Sequence, residues 1–146
     1  MARITKYKRR RGTAAVEAAL MMPLIILMTL ALIKYGWLFV KVQQVNNAAR
    51  HGARVAARAD SNDALVKAEV KLLMDKIWPS GPDVEPPPAE WPVTIDPGIT
   101  DGMSTGTIIT VTITVPYVNT PLDIIPMPLV PVPGFIGGTA SMAREG

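Results

Sequence analysis

The chain has 146 residues, 49% of them apolar but only 5% aromatic, and it contains no cysteine. That count excludes a disulfide framework and a thiolate metal site. The net charge of +3 conceals an asymmetry: residues 1–58 hold 11 Lys/Arg and one acid, whereas residues 59–146 hold 4 Lys/Arg and 11 acids. A basic half that also contains a long apolar run points to a membrane surface. No nucleic-acid-binding motif accompanies the charge, so no nucleic acid partner is expected.

Residues 1–12 form a basic leader carrying Arg3, Lys6, Lys8, Arg9, Arg10 and Arg11 and no acid. Residues 13–33, Thr13 to Ile33, follow as an apolar run about 31 Å long at about 1.5 Å per helical residue. That matches a bilayer hydrocarbon core of about 30 Å, and it predicts a transmembrane helix. A buried core helix would need more protein around it than the remaining chain supplies. The leader outweighs the two cations just beyond the span, Lys34 and Lys41, so the N-terminus is expected in the cytoplasm and the rest outside it. Lys34 is expected to snorkel toward the headgroups, with Tyr35, Trp37 and Phe39 at interface level. A cleaved secretory signal is disfavoured. The run is longer than a usual apolar signal core, and the first small-x-small triplet, Ala57-Arg58-Ala59, comes too late. Pro23 inside the span predicts a kink.

Between Arg11 and Lys34 the single charge is Glu17. An ionised carboxylate at mid-membrane costs about 2.5–3.5 kcal/mol on insertion scales, and less near a boundary. Glu17 therefore reads either as an interfacial residue near a positive helix N-terminus or as half of an ion pair inside the membrane.

Residues 34–59 continue the helix beyond the span. Val42, Val45, Ala49, Gly52, Ala56 and Ala59 recur at three and four, one narrow seam of small residues suited to close backbone approach. The seam packs either on the chain's own head or on a neighbouring subunit. Arg50, Arg54 and Arg58 recur every four residues on another face. His51, the sole histidine, has no metal-ligand companions and is assigned to surface or packing.

Residues 60–146 read as a small α+β head. Asp60-Ser61-Asn62-Asp63 is a break and N-cap. Ala64 to Trp78 is a second amphipathic helix with Leu65, Ala68, Leu72 and Ile77 on its apolar side, ended by Pro79-Ser80-Gly81-Pro82. Thirteen of the 14 prolines follow residue 78, so the tail is loops and strands. Thr107 to Val115 alternates β-branched apolar residues with threonine, the pattern of a half-buried strand. Val93-Thr94-Ile95 and Ile136 to Ala143 are its expected antiparallel partners. Pro126 to Pro133 is a Pro-spaced apolar loop suited to polyproline structure. No nucleophile set surrounds His51, no Gly-rich phosphate loop is present, and acids such as Asp83 and Glu85 fall in Pro-rich loop. No enzyme activity, metal or cofactor is expected.

Three sets of residues resemble a known family. Arg9-Arg10-Arg11-Gly12, then Thr13-Ala14-Ala15-Val16-Glu17 and an apolar helix, resembles a type IV prepilin signal. Leu20-Met21-Met22-Pro23-Leu24, Lys34-Tyr35-Gly36 and Asn46-Asn47-Ala48-Ala49-Arg50-His51-Gly52-Ala53-Arg54 extend the similarity to the TadE-like family, pseudopilin-related proteins of tight-adherence (Flp-type) pilus systems. The resemblance is concentrated over residues 10–58 and continues weakly to Thr139-Ala140-Ser141-Met142-Ala143-Arg144. It implies a bacterial inner-membrane protein with an extracytoplasmic head, a role in pilus assembly or type II/IV secretion-related machinery, and partners among pilin-like subunits and the assembly platform. It also implies cleavage between Gly12 and Thr13 by a prepilin peptidase, with Glu17 then neutralising the new amine of a subunit. Ala18 stands where processed members often carry an aromatic residue, and Thr13 is an unusual mature terminus. The alternative is an uncleaved single-pass anchor or assembly factor of an envelope complex.

Overall fold

The computed structural model describes residues 11–79, 82, 84–100, 102–118, 120–123 and 130–145. The leader up to Arg10 and residues 124–129, which include the first half of the Pro-spaced loop, lie outside them, as does Asp83. The element order is α1 (Arg11–Ala56), α2 (Asp63–Ile77), β1 (Val93–Asp96), β2 (Ile108–Pro116) and β3 (Phe135–Ala143), an α+β chain. It divides into two compact units, one ending at Ile33 and one beginning at Lys34.

In the first unit, α1 is apolar and solvent-facing. An 18-residue window reaches a mean hydropathy of 2.3, and none of that window is buried. A soluble protein does not leave such a surface in water; the helix is a candidate membrane span. Pro23 sits within the helix without ending it.

The second unit begins with the rest of α1. Ala57 and Arg58 continue its hydrogen bonding for one more turn, to Ala53 and Val55. The Ser61 hydroxyl then donates to the carbonyls of Ala56 and Arg58, closing the helix end. Asn62 caps α2, its side chain accepting from the Leu65 amide at 2.8 Å, a contact that satisfies one of the four unpaired amides of a helix start.

The apolar side of α2 differs from the expected one. Val66, Val70 and Met74 are fully buried, whereas Leu65 and Leu72 are exposed, at 37% and 58%. The reason lies in α1. Its facing seam is Ala and Gly, so the helices lie close: a Cβ built on Gly52 would stand 2.7 Å from a Val70 methyl. Val66 and Val70 fill that narrow gap at Gly52, Met74 continues their row, and Leu65 and Leu72 lie on the flanks.

β2 lies between β1 and β3, antiparallel to both. Its strict alternation puts Ile109, Val111, Ile113 and Val115 on the face that meets the helices, all at 0% exposure. The other face carries a polar ladder, in which Thr110 and Ser141 share a 2.8 Å hydrogen bond and Thr112 and Thr139 a 3.3 Å one. Fully burying each aliphatic side chain is worth about 1.5–3 kcal/mol. The inner row of β2, the α1 seam and the α2 valines together make the core.

β3 lies against α1 at Gly138, where an added Cβ would meet Val45 O and Asn46 Cα, both at 2.8 Å and both backbone. Neither can move without shifting an element. Gly138→Ala is expected to destabilise the head by about 1–3 kcal/mol through overpacking. Gly36→Ala, with nothing within 4 Å of the new methyl, is expected to be neutral or to stabilise by up to about 1 kcal/mol. Thermal unfolding of the detergent-solubilised variants checks both.

Candidate functional site

The assembly residues suggested by the sequence fall on α1. Gly12 and Thr13 lie in its first turn. Thr13, Val16, Glu17 and Leu20 line one shallow concavity, as residues three and four apart on a helix do. Thr13 and Glu17 thus share a face, one turn apart.

The seam residues lie in the second unit and in its core. Val45, Ala49, Gly52 and Ala56 are buried, and Val42 packs at the edge. Their neighbours are the chain's own α2 and sheet, with Gly52 against Val66, Val70 and Val111.

The same stripe, continued toward the span in steps of three and four, passes through Lys41, Leu38 and Lys34. Both lysines are buried, at 5% and 2% exposure. This corrects the expectation that Lys34 snorkels. Its ammonium lies 3.4 Å from a carboxylate oxygen of Asp123, with both side chains almost inaccessible. A buried charge is retained only when paired, and Asp123 supplies the pair from the loop after β2.

Lys41 is held differently. Its ammonium donates to the Ile77 carbonyl at 2.8 Å, one of the unpaired acceptors at the end of α2. It also stands 4.8 Å over the Trp37 ring, a cation–π contact. Desolvation lowers its pKa from the ordinary lysine value. Trp37 is likewise drawn into the head, its indole N–H donating to Leu122 O at 2.8 Å. The Tyr35 hydroxyl donates to Pro131 O at 2.7 Å. The first two turns of this unit therefore hold both ends of the 122–131 connection.

A second polar cluster closes the Pro-rich segment onto α2. Trp91 Nε1 donates to Asp75 Oδ1 at 2.9 Å and Lys71 Nζ to Asp75 Oδ2 at 2.9 Å. Trp78 and Trp91 meet edge-on at 5.5 Å. Desolvation pushes the Asp75 carboxyl upward, but the bonds from Trp91 and Lys71 and the lysine charge outweigh it, and the net shift is downward. At Tyr117, burial and then the nearby Asp123 charge raise the phenol above 10.0. His51 Nε2 lies 3.7 Å from Glu69 on the half-exposed flank of α1 and α2.

Sequence reasoning missed Asp123, Asp75 and Trp91 because nothing local marks a loop acid or an indole as a partner. The lysines did carry a signal: both sit at seam spacing, where a charge must find a counter-charge or an acceptor.

The helix that holds Thr13, Glu17 and the seam is also where the chain is similar to known proteins. Residues 12–54 match the family model described as TadE-like protein. The match opens at Gly12, takes in Glu17 and the seam up to Gly52, and ends inside α1, so that the sheet lies beyond it. This stretch is thus similar to the TadE-like family, which belongs to tight-adherence (Flp) pilus systems. No match was found among curated proteins or among solved structures.

Two outcomes follow from the side-chain geometry. Asp123→Ala is expected to destabilise the head by about 3–5 kcal/mol, because it removes the carboxylate paired with a buried ammonium, while Lys34→Met with Asp123→Leu recovers most of that loss. Denaturant unfolding of the two variants beside the parent chain checks it. For Asp75, the folded carboxyl binds its proton less firmly than the unfolded one, whose value is 3.8. The unfolded chain therefore takes up more protons as the pH falls through this region, and stability drops with it. Asp75→Asn should flatten that acid limb in unfolding measured from neutral pH to below 3.8.

Proposed function

We propose that the protein is a minor pilin or pseudopilin, a structural or assembly component of a Flp-type pilus or related secretion machinery. The observation that carries this reading is the family match over residues 12–54, which begins at the Gly12–Thr13 junction and includes Glu17. In this reading Thr13–Ile33 anchors the chain in the cytoplasmic membrane, with the leader inside and the head outside. A prepilin peptidase cuts after Gly12. The new amine of Thr13, with an ordinary pKa of about 7.7–8.0, is cationic at neutral pH. Glu17 of a neighbouring subunit then pairs with it, and each charge offsets the other's cost at the lipid boundary. Thr13, Val16, Glu17 and Leu20 share one face of α1, so terminus and carboxylate turn toward the same neighbouring subunit. Other pilin-like subunits and the inner-membrane assembly platform are the partners, and the role is structural rather than enzymatic.

One observation favours the uncleaved anchor instead. α1 already includes Arg11 and Gly12, so the junction lies in helical backbone that a peptidase must first unwind.

The mass of the N-terminal peptide from the membrane-assembled protein distinguishes the two readings. A terminus at Thr13 is expected for the pilin; a retained leader supports the anchor. Glu17→Ala is expected to lower incorporation into the assembled complex while leaving membrane insertion intact. Incorporation equal to that of the parent chain would end the charge-pairing account.

A further inference from the structure

Two charged features of the head have no partners within it. The first is on α1. Arg50, Arg54 and Arg58 recur at four-residue steps on the exposed face of the helix and its last turn, a span of about 12 Å. Among the described residues, ion pairs join Lys34 to Asp123, His51 to Glu69 and Lys71 to Asp75, and none takes in these arginines. Like charges at this spacing repel one another, and nothing in the fold of the head relieves the repulsion.

The second is a proline strut in the segment after α2, Glu85-Pro86-Pro87-Pro88, with Ala89 and Glu90 following it. Glu85, Pro86 and Pro87 each precede a proline, which confines them to extended backbone, and each proline fixes its own φ at about −65°. The run is a short rod rising about 3.1 Å per residue. Both of its ends are tied down. Trp78 Nε1 donates to Glu85 O at 2.6 Å. Trp91, next to Glu90, donates to Asp75 at 2.9 Å. Glu85 and Glu90 are both exposed and stand no more than about 16 Å apart. Glu90 shares a cleft with Lys67 and Lys71, yet neither glutamate forms an ion pair among the described residues.

We propose that these features are the two halves of one interface: the acid-flanked proline strut of one copy docks on the arginine stripe of a second copy. Sign and spacing agree. The strut presents two carboxylates up to about 16 Å apart, and the stripe presents three guanidiniums over about 12 Å. Long arginine side chains cover the difference, and a guanidinium pairs with a carboxylate through two parallel hydrogen bonds. The strut is already rigid, so it loses little conformational freedom on docking. The two features do not meet within one chain. Glu85 is bonded to Trp78 at the end of α2, and that end is held at Lys41 through the Ile77 carbonyl. Arg54 lies thirteen residues beyond Lys41, about 20 Å of helix. Because the two surfaces are different, the contact is heterologous and repeats from copy to copy. It adds a self-association surface to the subunit role proposed above, and it rests on the charges of the head rather than on Glu17.

Self-association of the full-length chain in an uncharged detergent tests this. The chain has no cysteine, so Leu72→Cys, at an exposed position of α2, carries a donor or an acceptor dye. Energy transfer over a dilution series gives the dissociation constant. Arg54→Glu with Arg58→Glu, and separately Glu85→Arg with Glu90→Arg, are each expected to weaken association about tenfold or more. All four residues are exposed, so thermal unfolding of the heads should match the parent. The four changes in one chain leave the net charge unaltered, and they are expected to restore the parent constant to within about threefold. A fourfold chain as weak as either pair shows that the two features do not meet each other, and overturns the inference. So does weakening by only one of the two pairs, or by neither, and so does a parent chain that stays monomeric throughout the series. The same series on Glu17→Ala chains is expected to give the same shifts. Shifts that vanish there assign the association to the Thr13–Glu17 pairing and overturn the head contact, whereas loss of the head contact alone leaves that pairing to the N-terminal mass.

Discussion

The head depends on how closely two other elements approach one face of α1. At Gly52 the gap to α2 admits no Cβ without displacing Val70, and at Gly138 the gap between β3 and α1 is set by backbone atoms on both sides. Close approach brings the valines of α2 and the inner row of β2 into contact with a seam of alanines, which contribute little side chain of their own. The core is thus built by α2 and the sheet reaching toward the helix. Leu65 and Leu72 of α2 are exposed because they lie off the face that meets this seam. Interiors are packed near crystalline density, so such a fit tolerates little change in volume.

The same face of α1 contains two charges, and the head is built around their needs. Lys34 takes a buried carboxylate from the loop after β2. Lys41 takes the terminal carbonyl of α2 and an aromatic face. Each contact ties a different part of the chain to α1 at a definite height: the 122–131 connection near Lys34, the end of α2 near Lys41. Exchanging such a pair for apolar residues often costs little, but removing one partner alone costs much. The pair acts together with the Trp37–Leu122 and Tyr35–Pro131 bonds, which hold the same connection against the helix.

α1 serves two environments with one continuous backbone. From Thr13 to Ile33 its side chains are mostly apolar and mostly exposed. From Lys34 its faces divide into a buried seam and a solvated flank bearing Arg50, Arg54 and Arg58. The family match spans both parts, so the feature shared with TadE-like proteins is the helix with its span and its seam, while the sheet that covers the seam lies outside the matched residues.

Period and composition by themselves determined the apolar span, the three strands and the small-residue seam. Each is a local statement: a run as long as a bilayer is thick, Ile109-Val111-Ile113-Val115 alternating at two, and Val45-Ala49-Gly52-Ala56 recurring at helical spacing. The α+β class followed from those periods in order along the chain. Local pattern could not decide which side of α2 is buried, because Leu65–Leu72 and Val66–Val70–Met74 are both apolar rows and only the way α2 docks on α1 separates them. Nor could it decide that Lys34 turns inward, since its partner lies 89 residues away at Asp123 and a long flexible cation beside a membrane span has a good solution in the headgroups as well. The seam, too, was legible as a contact surface without its partner being named. Tertiary structure decided all three for one reason: each turns on a distance between residues far apart in the chain, and neither periodicity nor composition carries that distance.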